Sequence, residues 1–170
     1  IYFNINMMLL PFCVNGSLSC PLFTKEIFMN PNLSLSFHPA KFCTIRLKPG
    51  DDLLHEIRIL ATTHNIKAGF IASSVGSLSQ FGLRYAGKPD ATIQQGCFEI
   101  VSLIGTIETT GQHIHLSVSD ENGAMLGGHV MEGCIVRTTL EIVIGILDNC
   151  QYSREHCELS GYEELVIKSI

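Results

Sequence analysis

Hydrophobic spacing along the chain switches period near residue 51 and switches back about fifteen residues later. KFCTIRL (41–47) alternates with period two and reads as a strand, after which Pro49-Gly50 turns the chain. Through DDLLHEIRILATTHN (51–65) the spacing becomes helical. Leu53, Ile57 and Leu60 recur on one face, which Leu54 and Ala61 widen. Asp51 or Asp52 is placed to cap this helix, because a carboxylate there accepts the free N–H groups of the first turn and faces the positive end of the helix dipole. Period two then returns. KAGFIASSV, FGLRYAG, CFEIVSLIGTIE, HIHLSVS, AMLGGHVM and CIVRTTLEIVIGIL all favour strands separated by glycines and polar turns. In the last of them Val136, Leu140, Ile142, Ile144 and Ile146 share a face opposite Arg137, Thr139 and Glu141, as in a half-buried antiparallel strand.

ELSGYEELVIKS, near the C-terminus, is read as a further edge strand. One helix with six or seven strands and no regular β-α-β alternation predicts an α+β domain, an antiparallel sheet packed on one main helix. Residues 1–40 are read as an N-terminal tail, 41–150 as the folded domain and 151–170 as a C-terminal extension.

Composition narrows the function. Hydrophobic residues make up 46% of the chain and charged residues 16%, a low charge that suggests apolar surface buried between subunits. The formal net charge is −5, and the eleven basic residues are scattered singly, so direct nucleic-acid binding is not expected. The seven cysteines are an odd number without a Cys-x-x-Cys pair; Cys13/Cys20 and Cys150/Cys157 share a spacing that matches no common zinc or redox motif. Free thiols in a reducing compartment follow, with a cytoplasmic chain expected and a nuclear one the alternative. MMLLPFCV is too short to span a bilayer and lacks the basic stretch of a secretion signal, so neither membrane insertion nor secretion is expected. The sequons at Asn15 and Asn32 would matter only in a secreted chain.

The chemistry concentrates in GQHIHLSVSDENGAMLGGHV (111–130). His113 and His115 lie two apart on a strand, so they share a face with Cα atoms about 6.6 Å apart. A two-residue turn at Asn122-Gly123 would place His129 opposite Leu116, on the wrong face. A three-residue loop, Glu121-Asn122-Gly123 with Gly123 left-handed, would place it opposite His115. A bulge at Gly127-Gly128 would also restore the geometry. Three neutral imidazoles with a fourth position open suit Zn²⁺ or another late first-row divalent ion. The alternative is three solvated or hydrogen-bonded histidines.

At these residues the sequence resembles the plants-and-prokaryotes-conserved (PPC) domain, which also occurs in plant AT-hook nuclear proteins. The resemblance runs through LKPGDDLLHEI, IKAGFIASSVGSLSQFGLRYA, GCFEIVSLIGTIETTGQHIHLSVSDENGAMLGGHVMEGCIV and TTLEIVIG, roughly residues 41–147. It implies a homotrimer, and it implies that His113, His115 and His129 are the metal-site positions of the prokaryotic-type members. The chain departs from the plant members in two ways. Residues 1–40 hold no Arg-Gly-Arg-Pro, and Gly96-Cys97-Phe98 stands where plant members commonly show Gly-Arg-Phe. Minor-groove DNA binding is therefore not carried over.

Three functions follow from these readings. The first is a trimeric metal-binding domain that takes a small ligand or a protein partner. The second is a metal-dependent enzyme of hydrolytic or hydration chemistry, for which Glu132, Glu99 and Asp120 are the candidate proton acceptors. The third is a DNA-associated module acting through a partner. Arg84 and Tyr85 are candidate ligand-lining residues, Arg84 either attracting an anion or sitting in a structural ion pair, and Gly127 and Gly128 would let backbone or ligand come close to His129. Cys134 reads as a small core residue rather than a nucleophile.

Overall fold

Residues 37–170 are described by the computed structural model; most of the expected tail, Cys13, Cys20 and both sequons lie outside the described residues. Strand β1 (Ala40–Leu47) leads through the Pro49-Gly50 turn into helix α1 (Leu53–Thr63). Asp52 caps the helix: its Oδ1 accepts from the backbone N–H groups of Leu54 (3.0 Å) and His55 (3.1 Å). Its Oδ2 accepts from Gly133 N–H at 2.7 Å, so one side chain both starts the helix and fastens it to a distant loop. Leu53, Leu54, Ile57 and Ala61 are buried and Leu60 is partly buried, which is the expected face. Arg58 ties the helix to the sheet, with Nη1 donating to Glu132 Oε1 at 2.6 Å and Nε to Gln112 Oε1 at 3.2 Å.

The remaining strands are β2 (Gly69–Arg84), β3 (Thr92–Glu108), β4 (Gly111–Ser119), β5 (Met125–Val130), β6 (Ile135–Leu147), β7 (Cys150–Cys157) and β8 (Tyr162–Ser169). β1 to β6 form one antiparallel sheet in the order β1-β6-β2-β3-β4-β5, and β2 pairs with β5 as well, so β2, β3, β4 and β5 close into a ring. Its buried face, with Leu78, Phe81, Leu83, Ile107, Ile114, Leu116, Leu140 and Ile144, shares one core with the helix.

The α+β expectation is overturned. Strands hold about 64% of the described residues and the helix 8%, so the domain is mainly β. The sequence reading underestimated strand length because bulges do not look like strand. KAGFIASSV and FGLRYAG are one bent strand, β2, whose register against β6 shifts between Gly76 and Leu78 and again before Gln80. Gly76 permits the close approach there, since a Cβ would lie 2.2 Å from the Thr139 carbonyl oxygen. The C-terminal segment forms strand β8, which pairs with β7 in a separate two-stranded sheet. Cys134 is fully buried, its thiol pushed up to about 11 by burial. No helix among the described residues is long and apolar enough to cross a membrane.

Candidate metal centre

The β4–β5 hairpin sets the histidines. Asp120 N–H donates to the Ala124 carbonyl (3.0 Å), leaving a three-residue loop in which Gly123 takes φ +80°. The Asp120 carboxylate accepts from the N–H groups of Asn122 and Ala124, both at 2.9 Å, so this side chain builds the turn. In the resulting register His115 pairs with His129 directly. Ile114 and Leu116 point into the core, which turns His113 and His115 outward.

Long-range pairing completes the setting. Arg84 on β2 pairs with His129, and Ile104 on β3 with His115, so Arg84, His129, His115 and Ile104 form one row across four strands. Gly105 lets β3 and β4 meet at this place: a Cβ there would sit 2.2 Å from the His113 carbonyl oxygen. Gly127 and Gly128 serve the same purpose for β5. A Cβ on Gly128 would lie 2.8 Å from the Arg84 carbonyl oxygen, and one on Gly127 would lie 2.9 Å from Ser117 Oγ. Their bareness is used by neighbouring strands.

One ligand atom from each of His113, His115 and His129 lies within 4.8 Å of the others. The Nε2 atoms of His113 and His115 are 3.3 Å apart, and ring centroids are separated by 5.1 to 5.6 Å. Two nitrogens bound tetrahedrally at about 2.0–2.1 Å from Zn²⁺ would lie about 3.3–3.4 Å apart, so this pair already has the required separation. His129 Nδ1 is buried with no hydrogen-bond partner among the described residues. Burial, then the Arg84 guanidinium and the two neighbouring imidazoles, push His129 down from 6.5 to about 4. His113 is also lowered, chiefly by burial and then by His115 and Arg154, with Glu164 opposing. Both therefore favour the neutral form that binds metal ions. The donor set fits a late divalent ion.

Two clefts meet at His115. One, of about 420 Å³, is lined by Arg84, Tyr85, Ala86, His115, Gly127, Gly128 and His129, which brings the candidates Arg84, Tyr85, Gly127 and Gly128 to the histidines. The other, of about 250 Å³, holds His113 with Thr106, Arg154, Glu164 and Leu165. A third, of about 370 Å³, places Glu132 beside His129, but Glu132 is committed to Arg58. Glu99 is exposed, pairs with Ser77 and Ser119, and lines none of these three clefts.

Sequence reasoning missed Arg154, Glu108 and Glu164. Glu108 is fully buried; Arg154 Nε donates to its Oε1 at 2.8 Å, and Nη2 donates to Thr106 Oγ1 at 2.8 Å. No sequence signal joins residues that far apart. Gly105 was also missed, although a lone glycine inside a strand-like run is a sign of close backbone approach.

Residues 36–148 match the Plants and Prokaryotes Conserved (PCC) domain, which is the PPC domain. The chain is 39% identical over 140 residues to the bifunctional protein GlmU of Synechococcus sp. strain JA-2-3B'a(2-13), covering 82% of this chain and 21% of that protein. It is 30% identical over 125 residues to AT-hook motif nuclear-localized protein 10 of Arabidopsis thaliana, covering 66% of this chain and 36% of the relative. The chain thus spans about a fifth to a third of the length of these relatives. Among solved structures, a hypothetical protein from Salmonella enterica superposes with a TM-score of 0.78 at 47% identity, covering 79% of this chain and 97% of that one. A metal-containing protein from Archaeoglobus fulgidus superposes at 0.65 with 22% identity, covering 79% and 99%, and shares the fold. The chain belongs to the Plants and Prokaryotes Conserved domain family.

Proposed function

We propose that this chain is a trimeric metal-binding domain in which His113, His115 and His129 hold one divalent ion, Zn²⁺ foremost, with a position left open for a small ligand. The observation that carries the reading is the convergence of the three imidazoles, each able to offer a nitrogen within 4.8 Å of the others. Two of them are held toward the neutral form. His129 Nδ1, buried without a hydrogen-bond partner among the described residues, supports it, because such a nitrogen is costly. When bound, the ion would supply a Lewis-acidic centre with an exchangeable position. The residues present favour binding over turnover: Asp120 is engaged in its own turn, Glu132 in an ion pair, and Glu99 stands apart.

Trimer formation is supported by apolar side chains left outside. Phe42 is 62% exposed and Ile104 59%, although each sits in the same cross-strand rows as the histidines. The row through His113 continues over Thr106 and Phe70 to Gly145 and Phe42. Such a strip is what a subunit contact would cover.

Elemental analysis of tag-free protein beside His129→Ala tests the metal reading, with light scattering on the same samples. About one late divalent ion per chain in the wild type, lost in the variant, is expected. No ion in either protein after reconstitution would overturn the reading, and a monomer at micromolar concentration would overturn the assembly.

A further inference from the structure

Arg84 presents an unusual combination. It is half-buried and sits directly across from His129, yet among the described residues its guanidinium has no hydrogen bond or ion pair. The structural ion pair that was the alternative for this residue is not formed among the described residues. Among the described residues, no acidic side chain lines the cleft of about 420 Å³ that Arg84 shares with Tyr85, His115 and His129. The neighbouring cleft differs: there Arg154 is committed to Glu108 and Thr106, and Glu164 adds a carboxylate. A locally positive recess in a chain of net charge −5 therefore lies on the Arg84 side only of these two clefts.

We propose that the Arg84 cleft is the ligand subsite of the histidine cluster and takes a small oxyanion, a carboxylate or phosphate group held by the Arg84 guanidinium beside His115 and His129. This rests on the metal reading, since an ion at the histidines makes the recess more positive still. The guanidinium fork matches planar carboxylate and phosphate oxygens better than an ammonium does. Partners directly opposite on paired strands have Cβ atoms about 4.5–5.5 Å apart, so an anion on Arg84 would also border the third histidine. The cleft volume suits a small molecule.

The test uses the Co²⁺-loaded full chain, whose visible absorption reports the ion's surroundings. Wild type, Arg84→Gln and Arg84→Lys are each titrated with formate and, separately, with inorganic phosphate, and circular dichroism verifies that each variant folds. Each protein is loaded to one cobalt per chain before the titration, so that differences in cobalt affinity do not enter the comparison. At least one anion should shift the wild-type spectrum, with half-saturation about 10-fold or more below that of Arg84→Gln, the loss expected for one charge-assisted hydrogen-bond pair. Arg84→Lys should fall between them, and it decides alone if the glutamine variant fails to fold. A response to formate but not phosphate assigns a carboxylate ligand, and the reverse assigns a phosphate. Equal half-saturation in all cobalt-loaded proteins, or no spectral response in wild type, would overturn the anion subsite and leave the metal reading standing. Failure of wild type to bind cobalt at all would overturn both.

Discussion

Removing Arg154 should destabilise the protein far more than removing Arg154 and Glu108 together. The Glu108 side chain is 0% exposed and that of Arg154 18%, with a 2.8 Å contact between Nε and Oε1. Glu108 Oε2 already lacks a hydrogen-bond partner among the described residues, so Arg154 supplies its one recorded side-chain contact. Arg154→Met would strand a buried carboxylate with both oxygens unsatisfied, at a cost of about 3–5 kcal/mol. Replacing both residues by methionine exchanges the pair for apolar volume and should fall within about 1 kcal/mol of wild type. Urea unfolding of wild type, Arg154→Met, Glu108→Met and the double variant at pH 7 closes the cycle and isolates the coupling. Because Arg154 sits on β7 and Glu108 at the end of β3, the single variant should also raise hydrogen exchange in the β7–β8 hairpin. A double variant as unstable as Arg154→Met, or a single variant within about 1 kcal/mol of wild type, would refute this reasoning.

Other predictions concern the supports of the site. Gly105→Ala should cost about 1–3 kcal/mol in denaturant unfolding and weaken metal uptake, because its Cβ would press on backbone at His113; unchanged uptake would break the link between that contact and the histidines. Asp52→Ala should cost about 2 kcal/mol, the upper end for a helix cap, since the same carboxylate also serves Gly133; calorimetry or urea titration reads it. In metal-free protein, His129 is depressed to about 4 when folded and returns to about 6.5 when unfolded. The unfolded chain then takes up the extra proton, so the stability present above pH 6.5 is lost as pH falls toward 4. Unfolding midpoints of wild type and His129→Gln should accordingly converge or cross over that window; parallel curves would remove His129 as their source.

Local chemistry made the hairpin legible. Asn122-Gly123 allowed only a few turns, and the left-handed Gly123 of the three-residue loop brought His115 opposite His129. The helix face and its Asp52 cap were likewise readable from spacing and from a carboxylate at the right position. Features that depend on distant strands were not. That β2 closes onto β5, setting Arg84 beside His129, follows from the curl of the whole sheet. The same curl hides in the bulges of β2, which made one long strand look like two and a mainly β domain look mixed. Glu108 and Arg154 meet only because the C-terminal hairpin folds back on β3. Glu132 illustrates the limit at short range: it does border His129, but Arg58 on the helix engages its carboxylate.

X-ray absorption at the zinc edge of the reconstituted protein reads the ion's neighbours in solution. Three imidazole nitrogens at about 2.0–2.1 Å and one further light atom are expected, with one imidazole fewer in His115→Ala. A sulfur neighbour at about 2.3 Å, or an imidazole count unchanged in the variant, would contradict it.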